Sequence, residues 1–144
     1  TLSRTDARLL FFKAQAEEIT QPRVPYMAAH RPVIVLVDGD SCSATELFTG
    51  SLQDHAAVTV MGTRTMGKGV GQIDVNLPNS CSLHVTSGRY YSPRGRWFGD
   101  ANKQANGIVP DVVVDPVGEF EYGSDDDNQL QAARQLLASK LRAA

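Results

Sequence analysis

The spacing of apolar positions changes several times along the chain, and each change marks an element. From about Asp6 to Ile19, the residues Leu9, Leu10, Phe12, Ala16 and Ile19 recur at mixed steps of three and four after a Ser3-x-x-Asp6 start signal, which predicts an amphipathic helix. Pro22 and Pro25 end it. After Arg31-Pro32, the run Val33-Ile34-Val35-Leu36-Val37 is rich in β-branched residues, apolar throughout and closed by Gly39. It reads as the central strand of a sheet, buried on both faces. Asp38 to Ser41 makes a turn, and Ala44, Leu47, Phe48 and Leu52 then share one helical stripe between Ala44 and Gln53.

Ala57 to Met61 predicts a second short strand, and Gly62 to Gly69 a loop. From Val70 to Leu77 the pattern alternates, with Ile73, Val75 and Leu77 on one side and Gln72, Asp74 and Asn76 on the other. Pro78-Asn79-Ser80 turns the chain into a further strand, Ser82 to Tyr91, so the two are expected to pair as a hairpin. A polar loop over Ser92 to Asn106 leads to a brief strand at Val112 to Val114. The linker Gly118 to Asp127 ends in three acids, before a helix with Leu130, Ala133, Leu137 and Leu141 in register and Lys140 and Arg142 in its last turn. Acids before the helix and bases at its end both suit its dipole.

Composition narrows the picture. The chain has 144 residues, 42% hydrophobic and 21% charged, with a formal net charge of -2. That suffices for one core, and the composition is that of an ordinary globular chain. No apolar run approaches the roughly 20 residues of a membrane span. A sequence pI near 5.8 and the lack of a basic block leave no footprint for a phosphate backbone, so neither a membrane span nor a nucleic-acid partner is expected. Cys42 and Cys81 allow at most one internal disulfide and do not decide the compartment. The chain opens at Thr1 without an initiator Met, basic n-region or apolar h-region, as an excised or processed segment would.

Two residues invite a chemical reading. Ser43 lies where a buried strand turns into a helix. Ser43-Ala44-Thr45-Glu46 spells a capping box, which is its plain structural role. The same position places a hydroxyl among unpaired helix N–H groups, such as that of Ala44, that can stabilise an oxyanion. Lys68 lies in Gly62-Thr63-Arg64-Thr65-Met66-Gly67-Lys68-Gly69, close to a phosphate-binding loop. That motif needs Ser or Thr after the lysine and a helix immediately beyond, whereas Gly69 follows here and the pattern from Val70 is that of a strand. His30, His55 and His84 have no spacing that selects one as a base, and together they form no metal-ligand pattern. Cys42 reads as a packing residue.

Taken as a set, Ser43, Asp54, Lys68 and Gln72 in their contexts resemble the C-terminal processing peptidases, or tail-specific proteases. The matching blocks are Val33 to Val37 with Ser41 to Glu46, Leu52-Gln53-Asp54, Gly62 to Gly69 with Gln72, Gly88 to Pro93, Gly107 to Asp111, and Gln129-Leu130 in the last helix. The resemblance runs from about Pro32 to Leu137. It implies an α/β fold, the core shared by Clp-type proteases and crotonases, with a mixed buried sheet and flanking helices. The chain would then be the downstream portion of a catalytic domain: 1–31 a lead helix and loop, 32–117 the sheet core with the active site, and 118–144 a linker and terminal helix.

By the same resemblance, Ser43 is the nucleophile, Lys68 the general base and Gln72 the residue that holds the lysine, with the Ala44 N–H at the oxyanion. Asp54 is structural or at the edge of the site, because a carboxylate touching Lys68 would keep it charged. A lysine takes a proton only when neutral, and lowering its pKa from about 10.4 to roughly 7–8 costs about 3.5–4.5 kcal/mol. Gln72 accepts a hydrogen bond from the amine without adding a full negative charge. Four residues of straight strand would separate the pair by roughly 13 Å, so a bend at Gly69 and Gly71 is expected.

Three departures from the family pattern stand out: the acidic turn Asp38-Gly39-Asp40, Met66 in place of the usual Phe, and no upstream Asp-Leu-Arg, Asn, Gly-Gly strand in residues 1–31. That strand and a PDZ domain are expected elsewhere in the full protein or in a partner chain. The resemblance implies a polypeptide substrate, no metal or organic cofactor, and work in the periplasm or cell envelope on exported proteins. The alternative is a non-catalytic ligand- or protein-binding module on the same fold.

Overall fold

The computed structural model describes residues 9–10, 19–20, 31–56, 58–99 and 106–143 of the chain. Among these, β1 (Leu9–Leu10), β2 (Ile19–Thr20), β3 (Ile34–Val37), α1 (Ala44–Asp54), β4 (Thr59–Gly62), β5 (Val70–Asn76), β6 (Ser82–Arg89), β7 (Val112–Val113) and α2 (Asn128–Ala143) follow one another. Strands β3, β4 and β7 form a parallel sheet in the order β3-β4-β7, and β1-β2 and β5-β6 are antiparallel pairs. The result is an α/β architecture. Parallel β3 and β4 need a crossover, and α1 supplies it.

Among the described strands the central one is β4, not β3 as the apolar run suggested. Val60 and Met61 are essentially inaccessible, whereas Leu36 in β3 remains 37% exposed, and among the described residues β3 pairs on one side only. A strand is buried by neighbours on both sides, and composition alone does not provide them. Val37, Leu47, Val60, Phe98 and Ile108 form the core cluster, with Val35, Val58 and Tyr90 packed against it. Gly62 is required where β4 ends: its φ is +127°, and an added Cβ would lie 2.0 Å from the Val37 carbonyl oxygen.

The helix expected over 6–19 is also corrected. Leu9–Leu10 pairs antiparallel with Ile19–Thr20, in the register Leu9 to Thr20 and Leu10 to Ile19. Adjacent Leu9 and Leu10 and the β-branched pair Ile19-Thr20 suit strands as well as they suit a loose helical stripe. The remainder of that prediction lies outside the described residues.

Helix α1 runs where predicted but buries a different face. Glu46, Leu47, Thr49, Gly50, Ser51 and Asp54 face inward, while Phe48 is 57% exposed. The hairpin forms as expected, with Leu77 N–H donating to the Cys81 carbonyl and positive φ at Asn79 and Ser80. Consecutive left-handed residues give the turn a twist that matches the strands. At the C-terminal end, Asp127 caps α2: one carboxylate oxygen accepts from the Leu130 N–H and the other from the Gly123 N–H.

Candidate active site

Ser43 precedes α1 with φ 56° and ψ -118°, a backbone conformation that L-residues adopt at a cost. Its N–H donates to Glu46 Oε2 at 2.9 Å, which is the Glu46 half of the expected capping box. No described residue accepts the Ala44 N–H, so this donor stays available at the helix head. The turn before it is set by Asp38, whose Oδ1 accepts from the Asp40 N–H, the Ser41 N–H and the Ser41 hydroxyl. Burial pushes the Asp38 carboxyl up, but the Ser41 hydroxyl, the Tyr122 phenol and the N–H groups of Ser41 and Asp40 outweigh it and hold it below the usual carboxylate range. Its charge is thus absorbed by local donors.

The residue that organises the site is Glu46, to which the sequence reading gave only a capping role. Its side chain is fully buried. While Oε2 takes the Ser43 N–H, Oε1 takes the Thr65 hydroxyl at 2.5 Å and the Gly67 N–H at 2.6 Å. One carboxylate therefore joins the backbone at the serine to the backbone next to Lys68. Met66 N–H adds a second tie by donating to the Ser41 carbonyl at 3.0 Å. Thr65 extends the network: its Oγ1 accepts from the Ile108 N–H at 2.7 Å, anchoring the loop to the Gly107–Asp111 block. A buried carboxylate with three donors is satisfied only while both loops stay in place.

Lys68 sits at the apex of a tight turn closed by Gly69 N–H donating to the Gly67 carbonyl at 2.9 Å. A bulge between Gly71 and Gln72 follows in β5. The bend expected between Lys68 and Gln72 is present. Both side chains are exposed, and no hydrogen bond joins either of them to the other or to Ser43. The chain after Lys68 is a strand, which excludes the helix that a phosphate-binding loop requires.

Asp54 is not a solvated helix-end acid. Its side chain is 3% exposed, its carboxylate accepts from the Arg94 N–H at 3.0 Å, and the Arg96 guanidinium forms an ion pair with it. Burial raises its pKa, but the hydrogen bonds from Ser92, Arg94 and Arg96 and the charge of Arg96 outweigh this and lower it overall. Asp54 thus anchors the 92–96 turn and does not touch Lys68, as its structural assignment requires. Asp111 works likewise, accepting from the Val60 N–H at 2.8 Å and from Gln53 Nε2 at 3.0 Å.

Neither His55 nor His84 is hydrogen-bonded to the serine. His55 follows the far end of α1, twelve residues and about 18 Å of helix from Ser43. His84 binds Asp74 across the hairpin at 2.5 Å, and His30 lies outside the described residues. Cys42 and Cys81 are both free thiols. No group of His, Cys, Asp or Glu among the described residues could hold a metal ion.

Ser43, on a strained strand-to-helix turn, is thus tied through Glu46 to the Lys68 turn within an α/β core. The Peptidase family S41 profile matches residues 4–114, and the chain belongs to that family of serine-type peptidases. It is 41% identical over 96 residues to a carboxy-terminal-processing protease of Bartonella bacilliformis, covering 66% of this chain and 21% of that protein. It is 40% identical over 108 residues to a carboxyl-terminal-processing protease of a Picosynechococcus species, covering 74% of this chain and 25% of that protein. Among solved structures, the photosystem II D1 C-terminal processing protease aligns with a TM-score of 0.62 at 33% identity, over 75% of this chain and 27% of that one. The chain thus spans about a quarter of the length of these relatives.

Proposed function

We propose that this chain carries the nucleophile and base of a serine endopeptidase that acts near the C-termini of exported proteins, outside the cytoplasm. The observation that supports it most is the Glu46 bridge, because its carboxylate binds the N–H of Ser43 and the N–H of Gly67, next to Lys68. Ser43 Oγ attacks the scissile carbonyl carbon and Lys68 Nζ takes its proton. The Ala44 N–H, with donors from an upstream strand, receives the oxyanion. The lysine returns the proton to the leaving amine, then activates the water that frees Ser43 from the acyl-enzyme. Gln72 accepts from the lysine amine and keeps it directed at the hydroxyl. Because Lys68 is exposed in this chain, the peptide lying across it is assigned the task of excluding water and favouring the neutral amine.

No observation favours the binding-module alternative. In the complete protein, Ser43→Ala and Lys68→Ala are each expected to abolish cleavage of a labelled unfolded protein, while His55→Ala leaves it intact. Full activity in Lys68→Ala overturns the mechanism.

A further inference from the structure

Glu46 holds only the N-terminal arm of the Lys68 turn. The C-terminal arm is held at Gly69, whose carbonyl oxygen accepts two donors: the Tyr90 N–H at 2.9 Å and the indole N–H of Trp97 at 2.7 Å. The approach is close enough that a Cβ on Gly69 would meet Gly99 N at 2.2 Å and Trp97 Nε1 at 2.6 Å. The indole is itself fixed. Arg89 stacks over it at 4.4 Å, and Trp97 bridges the backbone of Tyr91. The turn leading to it is closed by Ser92 N–H to the Arg96 carbonyl and fastened to the end of α1 through Asp54. One helix therefore braces the lysine turn from both of its ends.

We propose that Trp97 is a positioning residue for the general base, its indole N–H fixing the C-terminal arm of the Lys68 turn through the Gly69 carbonyl. The inference rests on the reading of Lys68 as the base. Without the indole, Gly69 keeps only the Tyr90 N–H. The arm then swings about its remaining bond, so Lys68 spends less time within reach of the serine hydroxyl. Because proton transfer needs close alignment, the loss falls on the chemical step and not on substrate binding.

The test is Trp97→Phe in the complete protein, with fluorescein-labelled casein as substrate; the variant keeps an aromatic ring under Arg89 and removes the N–H. The expected result is a kcat lower by about tenfold to a hundredfold, with KM changed by less than about twofold. An unchanged kcat overturns the proposal, as does a raised KM at normal kcat, which would place Trp97 in substrate contact. Loss of activity in step with loss of folded protein also overturns it. Lys68→Ala separates the two readings. If it is inactive while Trp97→Phe is normal, only the brace fails; if it is active, the base assignment fails. A second measurement needs no substitution: the Trp97 indole N–H is expected to exchange with deuterium at least about tenfold more slowly than a free indole. Free exchange refutes the bond.

Discussion

Helix α1 with the loop after β4, and the β5-β6 hairpin, solve opposite problems. The first buries Glu46, Thr49, Ser51, Asp54 and Thr65 while leaving Phe48 largely outside. The second leaves Ile73, Val75, Leu83 and Val85 exposed and is described by its ladder and its turn. One region is organised by buried polar atoms that find partners, Thr49 Oγ1 excepted, the other by backbone pairing with its apolar side chains left outside. Disturbing the first therefore propagates through several elements, whereas the exposed apolar side chains of the second can change with little effect on stability.

The sharpest way to break this contrast is Glu46→Ala. It strands three donors, the Ser43 N–H, the Thr65 hydroxyl and the Gly67 N–H, two of them in a buried pocket. A loss of about 3–5 kcal/mol is expected in urea unfolding, with peptidase activity lost as well. A loss below about 1 kcal/mol would mean that the loops are held by something other than the carboxylate. Next comes Gly62→Ala, which forces a Cβ toward the Val37 carbonyl at an unfavourable φ. Its expected cost is about 2–3 kcal/mol, read as a lower melting temperature.

Asp54→Asn is smaller, about 1–2 kcal/mol at neutral pH, because the amide retains one acceptor. Here pH sharpens the test. The folded carboxyl is lowered relative to its ordinary value, so its stabilisation is present above the unfolded pKa of about 3.9 and is lost as pH falls through the folded value. The gap between wild type and Asp54→Asn should therefore be widest at neutral pH and narrow in acid. A gap that widens in acid would contradict the ion pair with Arg96. Least of all, Ile73→Thr and Val85→Thr are each expected to shift stability by less than about 0.5 kcal/mol. A large loss at either would reveal a covered hairpin face.

Much of the architecture was legible because period and punctuation agreed. The alternation over Val70 to Leu77, Pro78-Asn79-Ser80, and the acids before α2 each named their element. Burial was less legible. The apolar run at Val33 to Val37 suggested a centre that β4 occupies instead, since burial depends on partners distant in sequence. In α1 the apolar stripe misled because the helix turns its carboxylates inward, toward donors supplied by residues 65–67 and 94–96. The serine and the lysine were visible as motifs. The part played by Glu46 was half visible as a capping box, but its reach to Gly67 spans 21 residues and no local pattern carries it. Trp97 gave no sequence signal, because its partner is a backbone carbonyl.

Since α1 follows directly on Ser43, grips one arm of the Lys68 turn through Glu46 and supports the other through Asp54, the backbones at Ser43 and at Lys68 are tethered to one helix. A motion that parted those two turns would have to strip donors from the buried Glu46 carboxylate. On the roles proposed for Ser43 and Lys68, gating is then expected to admit or shut out peptide and solvent and to leave the two turns joined.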